Sequence, residues 1–201
     1  MKKIYLILVL GTAFAAKAQV KTGYALGIKG EAILTTIQTD VDKRSYSMGF
    51  GNGFGVFARL KTGRLYFQPE FKYADQTTYQ KDTDKIKVNF TSFDIPILLG
   101  GYVFKSKNTL VRLFVGPEMT LFKSFKYDGK DIFNPRSSSS IRSGTGAFVL
   151  GAGVDYKGIT VDLRYKMGVN SVIRKTTNNS PNETIQQIVL SVGYKFLYKE
   201  D

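Results

Sequence analysis

Gly158-Ile-Thr-Val-Asp-Leu-Arg-Tyr-Lys-Met-Gly-Val169 is the stretch whose reading decides the fold. Its odd positions, Ile159, Val161, Leu163, Tyr165, Met167 and Val169, are apolar or aromatic. Its even positions, Thr160, Asp162, Arg164, Lys166 and Gly168, include three charged residues in a row. A period of two places the two sets on opposite faces of a β-strand. Two environments suit such a strand. Either the charged face meets water over a protein core, or the apolar face meets lipid and the charges turn inward.

The same period runs through the rest of the chain. Upstream, strand one covers about Thr22 to Leu34, strand two about Met48 to Leu60, and strand three runs from Leu65 to Tyr73. Strand four centres on Phe93 to Val103, strand five on Val111 to Leu121, and strand six on Phe148 to Tyr156. The opening stretch is strand seven, and Ile188 to Tyr198 form strand eight. In strand four, Val88 and Phe90 fall on the other parity from Phe93, which predicts a bulge near Ser92. Lys61-Thr-Gly-Arg64, Lys105-Ser-Lys-Asn108 and Lys157-Gly158 are short turn signals. Long polar segments, 36–47, 75–87, 126–140 and 173–183, separate the remaining pairs.

Short and long connections therefore alternate. In an up-and-down meander that order gathers every long loop at one end and every tight turn at the other. Bacterial outer-membrane barrels have this asymmetry, with an even strand number, short periplasmic turns and long outer loops. The strands also supply the roughly 9 to 11 alternating residues that a tilted strand needs to cross a bilayer. The expected fold is all-β: an eight-stranded antiparallel up-and-down transmembrane β-barrel.

Charge placement supports the lipid-facing choice. The inward set holds Lys29, Arg59, Lys72, Arg112, Arg164, Lys166 and Lys195 against Glu31, Glu70, Asp94, Glu118, Asp155 and Asp162, seven positive and six negative. The middle of the apolar face holds none. Lys87, Lys123 and Arg142 have its parity but sit at loop ends. A cation facing lipid at mid-bilayer costs about 2 to 4 kcal/mol. A narrow barrel lumen is just wide enough for side chains to fill it. The thirteen charges are expected to pair as a structural lumen network, with partners of Asp162, Arg164 and Lys166 among Glu31, Glu70, Glu118, Asp155 and Lys195. A catalytic carboxylate pair, as in glycosidases, is the competing reading.

The N-terminus points to export. Met1-Lys2-Lys3, the apolar run from Ile4 to Ala16 and the small-x-small triplet Ala16-Lys17-Ala18 make a signal peptide, residues 1–18, with the barrel domain at 19–201. Removing Lys2, Lys3 and Lys17 from 29 basic residues leaves 26 against 16 acidic ones. Export argues against nucleic acid as the partner of that charge. Cysteine and histidine are absent, so the chain lacks disulfides and the commonest general base and zinc ligand. No catalytic, cofactor-binding or metal-binding residue is assigned, and no enzyme activity is expected.

The remaining motifs mark strands and loops. Gly49-Phe-Gly51-Asn-Gly53-Phe-Gly55 lacks the Lys-Ser/Thr and the following helix of a phosphate loop. These glycines are read as lining the interior, leaving room for long side chains opposite. Ser191-Val-Gly193-Tyr-Lys-Phe196-Leu-Tyr198 fits the polar-x-Gly-x-x-apolar-x-apolar pattern of a barrel-assembly signal, which implies the barrel-assembly machinery as a partner during biogenesis. The loop residues Lys126, Tyr127, Lys130, Phe133 and Arg136 suit an acidic glycan, lipopolysaccharide phosphates or a surface protein; they equally suit a solvated loop.

Phe93-Asp-Ile-Pro-Ile-Leu-Leu-Gly-Gly-Tyr102, with Gly116-Pro117 and the glycine-rich start of strand six, resembles the PorT-like outer-membrane β-barrel family of Bacteroidota. The resemblance implies a fold and a location, the outer membrane, and carries no catalytic site. The namesake of that family is associated with a protein-secretion apparatus. The expected function is a monomeric, lipid-embedded barrel with a plugged polar lumen and a structural or surface-binding role through its outer loops. Two alternatives remain: an accessory subunit of a secretion or transport assembly, and a soluble exported β-barrel binding an apolar ligand.

Overall fold

Strict alternation along each strand becomes a closed wall with one face outward and one inward. A computed structural model describes residues 22–39, 46–80, 86–127, 130–131, 143–170 and 183–199. The signal peptide expected at residues 1–18 lies outside the described residues, as do the centres of the four long polar segments.

Eight strands form the wall: β1 (Thr22–Thr39), β2 (Tyr46–Thr62), β3 (Leu65–Gln80), β4 (Ile86–Lys105), β5 (Thr109–Tyr127), β6 (Gly144–Tyr156), β7 (Ile159–Gly168) and β8 (Glu183–Lys199). Each pairs antiparallel with its neighbour in sequence, and β1 pairs with β8 from Tyr24↔Lys199 to Thr39↔Glu183, which closes the sheet. A two-residue pairing of Lys126 and Tyr127 with Asp131 and Lys130 extends the β5 hairpin. Closure leaves no strand edge to satisfy, which a sheet in hydrocarbon requires.

The tight turns explain where the strands stop. Tyr156 pairs with Ile159 across Lys157 and Gly158, whose φ values are 44° and 89°. Two positive φ angles in a two-residue hairpin match the right-handed twist of the flanking strands, and the glycine takes the second at no steric cost.

The outer face is apolar. Phe54, Leu99 and Leu163 are 65%, 60% and 56% exposed, whereas Arg112, Arg164 and Lys72 on the inner face are at most 1% exposed. A water-soluble barrel distributes these residues the other way round, so the lipocalin-like alternative is set aside. Among the described residues no helix is long and apolar enough to cross a membrane; strands do the crossing.

Strand four needs a correction. Val88, Phe90, Ser92, Asp94, Leu98 and Tyr102 are all buried on the inner face, so β4 keeps one parity from Val88 to Tyr102 and breaks it at the turn end, where Val103 is an extra residue and both Val103 and Phe104 are exposed. The register does shift at Thr91/Ser92, but the extra residue is Lys123 on β5, because Thr91 pairs with Ser124 and Ser92 with Phe122. The apolar pair Val88 and Phe90 suggested a slip because the interior there is itself apolar.

Candidate functional site

The interior is built from inward residues of all eight strands, in layers. From the turn end rises a cluster of Tyr66, Leu98, Tyr102, Leu110, Phe114 and Val149. Toward the loop end Ile33, Ala74 and Val189 make a second apolar contact, and Phe90 meets Phe122 edge to face at 6.0 Å. Charged side chains occupy the space between.

Three groups of ion pairs make up that middle. Asp155 on β6 accepts from Arg59 Nη1, from Arg112 Nε at 3.1 Å and from Lys195 Nζ at 3.5 Å. Arg112 reaches on to Asp162 on β7, which ties this group to the next. There Arg164 grips Glu70 with both terminal nitrogens, each at 2.8 Å, and donates to Asp162 Oδ2 at 2.8 Å. Two parallel bonds from one guanidinium to one carboxylate are the strongest form of such a pair. Lys29 also donates to Glu70, at 2.7 Å, and lies 3.5 Å from Asp162.

Toward the loops, Lys72 sits between Glu31 at 3.2 Å and Glu118 at 3.4 Å. Lys166 bridges Glu118 and Asp94, the latter at 3.1 Å. A 3.8 Å approach of Arg164 to Glu31 joins this group to the middle one. All thirteen residues named from sequence parity thus stand in one connected set of contacts, with side chains 0 to 4% exposed. Pairing differs in part from expectation. Arg164 finds Glu70 and Glu31, whereas Asp162 pairs with Lys29 and Arg112, and Lys166 takes Asp94 besides Glu118.

Neutral groups that the sequence reading did not name complete the set. Gln68 accepts from Arg59 and donates to Glu70; Tyr66 and Thr160 accept from Arg112; Ser92 donates to Asp94 at 3.1 Å. Thr35, Gln76 and Gln187 bond one another above them. Each shares the inward parity of its strand, which was the available signal. Aromatic rings take the remaining faces of the cations: Arg164 lies 5.3 Å and Arg112 5.6 Å from the Phe114 ring centre, and Lys29 lies 4.8 Å from that of Phe57.

Glycines make this packing possible. A Cβ on Gly153 would fall 2.4 Å from Asp162 Oδ1 and 2.8 Å from Arg112 Cζ. On Gly55 it would meet Lys72 Cγ at 2.7 Å. Long side chains of one strand therefore lie across the bare backbone of the next.

Among the described residues no group of three or more His, Cys, Asp or Glu side chains is arranged to hold a metal ion. Of the loop residues named for partner binding, Lys126 is exposed at the end of β5. Tyr127 and Lys130 lie in the hairpin extension, their side chains outside the described set, and Phe133 and Arg136 lie outside the described residues.

Comparison with known proteins gives one family and a set of folds. The model of the outer membrane protein beta-barrel domain matches residues 4–196. No curated protein sequence matches the chain. Among solved structures, Neisserial surface protein A aligns with 87% of this chain and 99% of its own, at 15% identity and a TM-score of 0.52. The outer membrane protein OprG from Pseudomonas aeruginosa aligns with 88% of this chain and 97% of its own, at 12% identity and 0.53. The outer membrane enzyme PagL aligns with 83% of this chain and 98% of its own, at 12% identity and 0.46.

Proposed function

Because the chain belongs to the outer membrane protein beta-barrel domain family and lies in the bacterial outer membrane, we propose that it is a monomeric, non-catalytic barrel closed to solute flow. Its work is structural or surface-binding and is carried by the outer loops, including the segment from Lys126 to Arg136. The sequence motif from Phe93 to Tyr102 supports placing it with the PorT-like members of that family.

One observation carries the reading. The ion pairs join β1 to β3 and β7, β3 to β5 and β7, and β5 to β7 across the lumen, so their side chains occupy the barrel axis as well as its wall. A conducting pore keeps water along its axis, whereas an eight-stranded barrel is narrow enough for side chains to fill. Catalysis by a buried carboxylate pair needs room for substrate between the two groups. Here each carboxylate of the network is held by at least one lysine or arginine, with side chains 0 to 4% exposed.

Conductance tests it. Purified barrel inserted into planar bilayers is expected to give no steady open-channel current at any holding potential that the bilayer tolerates. Steady unitary currents that scale with salt concentration would refute the closed lumen.

A further inference from the structure

On the outward face, near the loop end, a polar recess of about 280 Å³ opens between β3, β4 and β5. Asn89, Thr91, Lys123, Ser124 and Lys126 surround it, Asp75 faces in from one side, and Tyr73 lies at its lower edge. Lys123 is there because of the register shift described above: it is the extra residue of β5, exposed between buried Phe122 and half-buried Ser124. Bulges commonly re-aim a side chain in this way. Its ammonium lies 5.9 Å from the Tyr73 ring centre.

Tyr73 also lines a second feature. From it an open apolar groove of about 750 Å³, within the size range of ligand sites, crosses the lipid-facing wall toward Gly30 on β1. Phe54, Tyr73, Phe93 and Phe71 form a chain of ring contacts at 5.5 to 5.6 Å along one side. Gly30 makes the notch. Its neighbours on this face are large, Ile28, Phe54 and Val56 being 53 to 65% exposed, while a Cβ on Gly30 would meet nothing within 4 Å. No turn and no close backbone approach accounts for that glycine.

We propose that recess and groove together hold one phosphate-bearing lipid of the outer leaflet, its phosphate at Lys123 and Lys126 and an acyl chain along Tyr73 and Phe93 toward Gly30. The charge is complementary: of the residues that line the recess, Lys123 and Lys126 carry ammonium groups and Asp75 a carboxylate. The depth is right, because the loop end of such barrels faces outward and a tyrosine marks the boundary between headgroups and hydrocarbon. Hydroxyl and amide groups of Thr91, Ser124 and Asn89 supply the polar contacts that a headgroup needs. A free anion has no use for the groove, and a lipid without phosphate has no use for the lysines. The site is independent of the lumen and of the loops beyond Lys126.

Native mass spectrometry of the detergent-purified barrel, titrated with diphosphoryl lipid A, tests the proposal. Wild type is expected to retain one lipid adduct, and the same lipid stripped of phosphate to bind roughly tenfold more weakly. Lys123→Gln with Lys126→Gln should weaken the phosphorylated lipid by a similar factor. Gly30→Phe, which enters open space and leaves the wall intact, should weaken both lipids several-fold. Heat-dependent gel mobility reports that each variant is a folded barrel. Equal retention by wild type and the double lysine variant, or equal retention of the two lipids, would overturn the phosphate assignment. Unchanged binding by Gly30→Phe, or displacement of the lipid by millimolar inorganic phosphate alone, would overturn the joint site.

Discussion

Arg164 is the residue on which most of the lumen depends. Its planar guanidinium occupies both oxygens of Glu70, one oxygen of Asp162 and the approach to Glu31, with the Phe114 ring against one face. A lysine has one nitrogen and cannot reproduce that fork. Removing Arg164 leaves Glu70 with Lys29 and Asp162 with Lys29 and Arg112, so the buried carboxylates are one cation short in a poor solvent for charge. We therefore expect Arg164→Met to lower the unfolding free energy by about 3 to 5 kcal/mol. The urea midpoint of heat-modifiable gel mobility measures it. Adding Glu70→Met should recover part of the loss, because the double variant removes one carboxylate along with one cation and restores the charge balance of the layer. A double variant no better than the single one would show that Glu70 is not what Arg164 satisfies.

Among the elements, β6 and β7 show what makes the charged lumen packable. Gly153 on β6 faces Asp162 on β7, and the Arg112 side chain from β5 crosses the bare glycine to reach it. Gly153→Val places branched carbon in that path. It should destabilise the barrel by about 1 to 3 kcal/mol, as overpacking does elsewhere, and the same urea series reads it. An unchanged midpoint would mean that Arg112 has another route.

The same elements mark the limits of the sequence. Inside the bilayer the solvent dictates both faces, so once the charge placement of the whole chain had turned the apolar face to lipid, the parity of Ile159 to Val169 put Asp162, Arg164 and Lys166 inward. Beyond the hydrocarbon the outward face meets water, and alternation fades while the hydrogen-bonded ladder continues. β3 therefore runs on to Gln80 and β1 to Thr39, through polar residues that read as loop. Val88 and Phe90 misled for a related reason: apolar residues also serve inside, capping the charged layer. Parity named Glu31, Glu70 and Glu118 as candidate partners but not which cation each meets. Lys29 meets Asp162 across 133 residues, and Lys166 meets Asp94 across 72, through the stagger of the closed sheet, which the strand patterns do not encode.

At the scale of the whole molecule the chain is inverted relative to a water-soluble protein. Apolar side chains cover the outside, where lipid spares them any cost, and among the described residues eight buried cations, Lys61 with the seven of the network, face six buried anions within. Near balance matters here, since a strong excess of either sign in so narrow a space would repel itself. Apolar clusters around Ile33 and around Tyr66 flank the charges on either side. The closure proposed for the lumen is therefore a property of the full ring of strands and of no single residue.

Thiol accessibility inside that ring tests the closed lumen most directly. The chain has no cysteine, so a single introduced thiol reports without background. Ser191 on β8 lies between Glu31 on β1 and Asp162 on β7, is 2% exposed, and its Oγ has no hydrogen-bond partner among the described residues. Replacing it with cysteine therefore sacrifices no bond. In the folded barrel, Ser191→Cys should react with a charged methanethiosulfonate reagent orders of magnitude more slowly than Ser106→Cys at the exposed β4–β5 turn, and both should react alike after heat unfolding. Equal rates in the folded barrel would contradict the account, because reagent and water would then have free passage past Asp162 and Arg164.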